Sequence, residues 1–384
     1  MKQLPAILQN KLQQRKAANA LRQLPAQGNL VDFSSNDYLG YAASVVLFDE
    51  THTYLTEKGI KENGATGSRL ISGNHQLYAE AEQLLAAFHQ SESALIFNSG
   101  YDANIGFFSS VPQKGDVVLY DEYIHASIRD GIRLGNAIAY KYRHNDLEHL
   151  EKLIKAYTNN KGEVYIVTES VFSMDGDSPD LSALVKLSEK YNCSLIVDEA
   201  HALGVYGNSG EGVLQSLNLH GKVFARIVTF GKGLGCHGAA VLGSAQLNEY
   251  LVNFARSFIY TTGLPPHSLA AILTAYRFLE KDTESREALQ ANITFFKTEA
   301  KRLNINSSFI SSNSAIHCVV IPGNENVKQA SATMQEHGFS VKAILSPTVP
   351  AGQERLRFCL HSYTTKKEIT DVLTILTGFL LPLP

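Results

Sequence analysis

SLIVDEAH (194–201) and RIVTFGKGLG (226–235) decide the fold. Each carries a short apolar run, Leu195-Ile196-Val197 in the first and Ile227-Val228 in the second, followed by a polar cluster, Asp198-Glu199-Ala200-His201 and Thr229-Phe230-Gly231-Lys232-Gly233. Short apolar runs without polar alternation read as strands buried on both faces, which belong to a parallel sheet covered by helices. Working outward, ALIFNSG (94–100), DVVLYD (116–121), VYIVTES (164–170) and AAVLGS (239–244) have the same character. Helical stretches such as HASIRDGIRLG and DLSALVKLSEKY separate them and are long enough for crossovers. From about Leu77 to Ala245 the pattern predicts an α/β layer structure with a mostly parallel central sheet.

Helical patterns follow over 247–254 and 266–302, and then short strands (AIHCVVI, RLRFCL) and helices (ENVKQASATMQEHG, KKEITDVLTIL) predict a smaller α+β lobe. At the other end Leu4, Ile7, Leu8, Leu12, Ala18 and Leu21 recur at helical spacing, ahead of a connector, Pro25-Ala26-Gln27-Gly28-Asn29. The expected organisation is an N-terminal helix and connector (1–45), a large α/β domain (46–265), and linking helices with a small C-terminal domain (266–384).

The 384 residues are 44% hydrophobic and 18% charged, an ordinary globular balance. A net charge of −3 gives no basic field to draw the chain to nucleic acid or an anionic membrane. Cys193, Cys236, Cys318 and Cys359 form no C-x-x-C pair, so neither a zinc site nor a disulfide framework is expected, and a reducing cytoplasm fits. No stretch resembles a signal peptide or reaches the length of a membrane span.

Open α/β sheets bind ligands beyond the carboxyl ends of their strands, where the polar clusters fall. Singly, each has a plain reading: a Gly is a turn, an Asp is a helix cap, a Lys is solvated. Together they suit pyridoxal phosphate, which needs a lysine amine, a carboxylate against its ring nitrogen and donors for a phosphate. Lys232 lies in a glycine-rich loop, Asp198 ends the apolar run Leu195-Ile196-Val197, and His201 follows three residues on. Ser99, Gly100 and Tyr101 open a helix whose exposed N–H groups and positive dipole end suit an anion.

Competing motifs are weaker. Gly233 to Gly238 fits G-x-G-x-x-G, but a strand follows where that fingerprint requires a helix. No G-x-S-x-G elbow occurs. His144 and Asp146 read as a capped loop, and the adjacency of Cys236 and His237 makes no metal site.

Along nearly its whole length the chain resembles the α-oxoamine synthases, a family of fold-type-I pyridoxal-phosphate enzymes. The resemblance rests on FSSNDYLG (33–40), GATGSRLISGNH (64–75), FNSGYDANIG (97–106), DEYIHASIRDG (121–131), YRHND (142–146), TESVFSMDGD (168–177), VDEAHALGVYG (197–207), TFGKGLG (229–235), ARSFIYTTGLPP (255–266) and PTVPAGQERLR (347–357). It implies that Lys232 carries the cofactor, that His125 stacks on its ring and also donates to the acyl carbonyl, and that Asp198 pairs with the ring nitrogen. It further implies that His201 and Ser173 contact the phenolic oxygen, while Thr229 and the Gly100 and Tyr101 backbone hold the phosphate. The family's site lies between two subunits of a homodimer, with Thr262 reaching the partner's phosphate. Arg357 is the expected clamp for the amino acid's carboxylate, and Arg22 and Thr348 lie near the acyl substrate; a structural ion pair is the alternative for Arg357.

The implied reaction joins an amino acid to an acyl-CoA or acyl carrier protein. Lys232 removes the α-proton, the α-carbon attacks the thioester, the thiol leaves, and loss of CO2 gives an α-amino ketone. FSSNDYLG, AANALR and TFGKGLGCHGAAV lean toward alanine and a pimeloyl thioester, as in biotin synthesis. Glycine with acetyl- or succinyl-CoA and serine with palmitoyl-CoA are the sister pairs. Leu345 stands where some relatives with the pimeloyl substrate have arginine, and a leucine suits a plainer acyl chain. An aminotransferase would bind the cofactor alike without releasing thiol. A non-catalytic regulator of this fold would carry a DNA-binding module, and no basic helix-turn-helix pattern is read in these residues.

Overall fold

The computed structural model describes residues 3–22, 24, 28–157 and 162–380. Pro25, Ala26 and Gln27 of the expected connector lie outside the described residues. The chain forms two compact units: Asn36–Ser173 with Ser178–Ala288, and Met1–Ser35 with Met174–Asp177 and Leu289–Pro384. The expected boundary at 266 falls inside the larger unit, where the helix Pro266–Lys281 buries Leu269, Ile272, Leu273 and Tyr276.

The larger unit is built on seven strands: Ser93–Phe97 (β1), Val117–Asp121 (β2), Ile138–Tyr142 (β3), Val164–Glu169 (β4), Ser194–Asp198 (β5), Ala225–Thr229 (β6) and Ala239–Gly243 (β7). Their order is β1-β7-β6-β5-β4-β2-β3. β2 to β6 are mutually parallel, and β7 runs antiparallel to both β1 and β6, so β1 to β6 all point one way. The sheet is mostly parallel, as the alternation of apolar runs and helical stretches predicts.

Alternation along each strand feeds two cores. Val118, Tyr165, Val167, Ile196 and Ile227 pack with Phe107 and Ile128 on one face. Val117, Leu119, Ile166, Leu195 and Val197 pack with Leu150, Leu184 and Val185 on the other. Side chains of a strand point alternately to opposite faces, so each strand needs cover on both sides, which explains the continuous apolar runs. The edge strand β3, IAYKY, was not anticipated: only Tyr142 in it is buried, so it lacks the signature of its neighbours.

The smaller unit has an antiparallel sheet of Ile316–Val320 (β8), Lys342–Ile344 (β9) and Arg355–Cys359 (β10), in the order β9-β10-β8. The helices Asn324–Glu336 and Lys366–Leu380 bury Val327, Met334, Val372 and Leu376 in it. Val31–Asp32 pairs with Phe339–Ser340, and the helix Ala6–Ala17 carries no buried residue. The helical pattern over 266–302 is two helices, Pro266–Lys281 and Glu284–Arg302; the side chain of Asp282, between them, accepts from the Ser285 N–H. Among the described residues no helix is long and apolar enough to cross a membrane.

Candidate active site

Because β1 to β6 point one way, their carboxyl ends bring Ser99, His125, Glu169, Asp198 and Thr229 to one edge of the sheet, around a cavity of about 270 Å3. Lys232, His201, Gly100, Tyr101 and Asn104 are also on the wall.

Lys232 Nζ lies 2.9 Å from His201 Nε2, and His201 Nδ1 lies 2.7 Å from the Tyr38 hydroxyl. Tyr38 is fully buried and donates to Asn36 Oδ1 at 3.2 Å. A lysine ammonium only donates, so Nε2 accepts, Nδ1 carries the ring proton, and the chain of donors runs from Lys232 to Asn36. His201 is therefore held in one tautomer and orientation.

Asp198 is buried, and each carboxylate oxygen accepts a hydrogen bond, Oδ1 from the Ala200 N–H (2.8 Å) and Oδ2 from Asn104 Nδ2 (3.0 Å). Asn104 Nδ2 also donates to Ser127 Oγ, which sits 2.7 Å from His125 Nδ1. His125 caps the helix Ala126–Leu134 by accepting from the Ser127 N–H, so its imidazole is pinned at Nδ1 while the residue stays exposed at the cavity. The surrounding protein lowers its pKa; Lys232 and Arg129 act in the same direction, and Asp198 opposes them.

Glu169 Oε1 accepts the His125 backbone N–H at 2.5 Å, and Glu169 pairs in register with Asp198 on the next strand. Burial, with Asp198 beside it, pushes the Glu169 carboxyl up to about 8.

The helix Gly100–Ser110 begins with a reciprocal cap: Ser99 Oγ accepts the Asp102 N–H and donates to the Asp102 carboxylate. The Ser99 hydroxyl is thus spent on the helix, and the first-turn N–H groups of Gly100 and Tyr101 remain for a ligand. A Cβ on Gly100 would stand 2.5 Å from the Thr229 methyl, so the strand end and the helix start approach this closely only with glycine. Thr229 Oγ1 is buried there without a partner.

A buried hydroxyl without a partner beside free first-turn N–H groups is a built anion cradle. With the Lys232 amine, the buried Asp198 carboxylate and the exposed His125 imidazole, the residues fit pyridoxal phosphate.

Other expected residues are not among those that line this cavity. Ser173 is buried but does not line the cavity. The Thr262 side chain is exposed, and its carbonyl accepts from Asn98 Nδ2 at 2.6 Å. Arg22, Thr348 and Arg357 belong to the smaller unit. There Arg22 Nη2 is 3.4 Å from Thr348 Oγ1, and Arg357, buried on β10, lies 2.8 Å from Cys359 Sγ through Nη1. His144 engages Asp121 at 2.9 Å, and Asp146 caps a turn through the His149 N–H. The Cys236 thiol is held by the Leu234 and Ala271 carbonyls, and burial raises it to about 12. Tyr38, Asn104 and Glu169 had no assigned role, although each lies in a block that carries the resemblance.

Residues 28–376 match the family model for aminotransferase class I and II. A protein of Bacillus cereus strain G9842, named provisionally as an 8-amino-7-oxononanoate synthase, is 44% identical over 339 residues, 88% of this chain and 84% of its own. A Bacillus anthracis protein with the same name is 42% identical over the same shares. Among solved structures, serine palmitoyltransferase of S. paucimobilis with bound PLP superposes with a TM-score of 0.87 at 27% identity, covering 97% of this chain and 96% of that one. 8-Amino-7-oxononanoate synthase of Francisella tularensis superposes with a TM-score of 0.78 at 31% identity, over 91% and 98%.

Proposed function

The chain belongs to the class I and II aminotransferase family and, within it, to the α-oxoamine synthases, pyridoxal-phosphate acyltransferases; on that premise we propose that it joins L-alanine to a pimeloyl thioester. The products are 8-amino-7-oxononanoate, the free thiol and CO2. The observation that carries the reading is the cradle at the strand ends, where Lys232, Asp198, His125 and the unpartnered Thr229 hydroxyl line one cavity.

Bound there, pyridoxal phosphate supplies an electron sink that weakens bonds at the carbon beside the substrate nitrogen. Thr229 and the N–H groups of Gly100 and Tyr101 hold the phosphate, and Asp198 keeps the proton on the ring nitrogen. The fixed His125 imidazole offers a flat face for the ring, and His201 holds the Lys232 amine in position. Lys232 takes the proton from the alanine α-carbon and later returns one to the product. Arg357 takes the alanine carboxylate bidentately. The working form is a cytoplasmic homodimer, in which the exposed Thr262 side chain reaches the partner's phosphate.

Arg22 supports a dicarboxylate acyl chain. It forms no ion pair with a carboxylate among the described residues and touches the Thr348 hydroxyl only at 3.4 Å, which leaves its guanidinium for the far carboxylate of a pimeloyl group. The half-buried Leu345 nearby favours a plainer chain, so glycine or serine with another acyl-CoA is the second reading.

Thiol release by the cofactor-loaded protein tests the choice. Release with alanine and pimeloyl-CoA, or with the pimeloyl carrier protein, and not with glycine plus acetyl-CoA or serine plus palmitoyl-CoA, is expected. Release only with a sister pair would move the substrate and leave the family reaction in place.

A further inference from the structure

The smaller unit holds a cavity of about 440 Å3 that shares no residue with the Lys232 site. A cavity of this size lies within the range of small-molecule sites. Phe296, Lys297 and Lys301, from the helix Glu284–Arg302, form part of its wall; Phe309 and Ile310 form another part, and His317 of β8 a third.

His317 is 2% exposed and stacks on Phe296, with ring centroids 4.5 Å apart and planes 24° apart. Its ring donates to the Ser314 backbone, and Nε2 has no partner. The ring proton therefore sits on Nδ1, and Nε2 presents a bare lone pair. Burial, aided by the Lys297 charge, lowers the His317 pKa to about 3, so the ring is neutral at physiological pH. A buried acceptor of this kind calls for an N–H or O–H donor. The Ser312 hydroxyl, also on the wall, does not serve, because it is engaged by the Gly176 and Ile316 carbonyls at 2.8 and 2.7 Å.

The remaining wall has two characters. Phe296 and Phe309 meet edge to face at 5.3 Å and give an apolar lining. Lys297 and Lys301, one helical turn apart, are exposed. Lys297 donates to Asn313, and Lys301 makes no ion pair among the described residues.

We infer that this cavity is a second ligand site, for a small aromatic carboxylate that carries a hydroxyl or N–H group at the end away from its charge. The ring lies against Phe296 and Phe309, the carboxylate meets Lys297 and Lys301, and the donor reaches His317 Nε2.

Calorimetric titration of the pyridoxal-phosphate-loaded protein with 4-hydroxybenzoate, benzoate and 4-hydroxybenzamide tests the assignment. 4-Hydroxybenzoate is expected to bind about tenfold more tightly than benzoate, which lacks the donor, and than the uncharged amide. His317→Phe keeps the stacking surface and should abolish the preference for the hydroxyl. Should that variant fail to fold, the surface double variant K297Q/K301Q carries the test, with an expected loss of about tenfold for both acids and an unchanged amide. Equal binding of 4-hydroxybenzoate and benzoate, binding unaffected by the variants, or a crystal soaked in 4-hydroxybenzoate that shows only an ordered water on Nε2 would overturn it.

Discussion

Glu169 is 3% exposed, a strand away from Asp198, and holds the His125 backbone. Its carboxyl, at about 8 in the fold, lies well above the ordinary glutamate value, so the folded cofactor-free protein binds this proton more tightly than the unfolded chain. The contribution is fully present below the unfolded value and is lost as pH rises through about 8. Glu169→Gln, which stays neutral and keeps an oxygen for the His125 N–H, should flatten the fall in stability between acidic and mildly basic pH by ~1 kcal/mol or more. Thermal melts across that range give the answer, and an unchanged slope would place the pH dependence on other groups. Lys232, Asp198 and His201 were legible as residues because each follows an apolar run at a strand end. Tyr38 and Asn104 were not, since their roles come from approaches of 163 and 94 residues in sequence separation, to His201 and Asp198.

At the scale of elements, the site depends on a helix start meeting a strand end. Gly100→Ala puts a methyl 2.5 Å from the Thr229 methyl and forces the two apart. The expected result is at least about tenfold weaker cofactor affinity, equivalent to ~1.4 kcal/mol, read by titrating cofactor into the cofactor-free protein. Thr229→Ser removes the methyl and keeps the hydroxyl, so adding it to Gly100→Ala should recover most of the loss; no recovery would mean the clash is not the cause. Ser99→Ala, which deletes the reciprocal cap, should cost ~1 kcal/mol of stability by chemical denaturation. The strands with continuous apolar runs were readable because both faces are covered. Ile138–Tyr142 was not, because an edge strand with one buried residue loses that signal.

At the scale of the molecule, the chain leaves the larger unit for four residues, Met174–Asp177, that pack with the smaller one. Asp175 pairs there with Arg355, both buried, and Gly176 adopts a φ of +75° with the Ile316 carbonyl 2.1 Å from where a Cβ would stand. Breaking the pair with Arg355→Leu strands a buried carboxylate and should cost ~3–5 kcal/mol in the smaller unit, visible as faster amide exchange in β8 and β10. The two-part architecture was legible from the change of pattern after 302. The membership of 1–35 and 174–177 was not, since short segments join a unit through tertiary contacts that leave no periodicity. Lys232 is the residue proposed to hold pyridoxal phosphate. Borohydride reduction of the cofactor-loaded protein followed by peptide mapping tests this most directly. A phosphopyridoxyl mark on the peptide containing Lys232, absent in Lys232→Ala, is the result predicted. A mark on another lysine, or full turnover by Lys232→Ala, would contradict it.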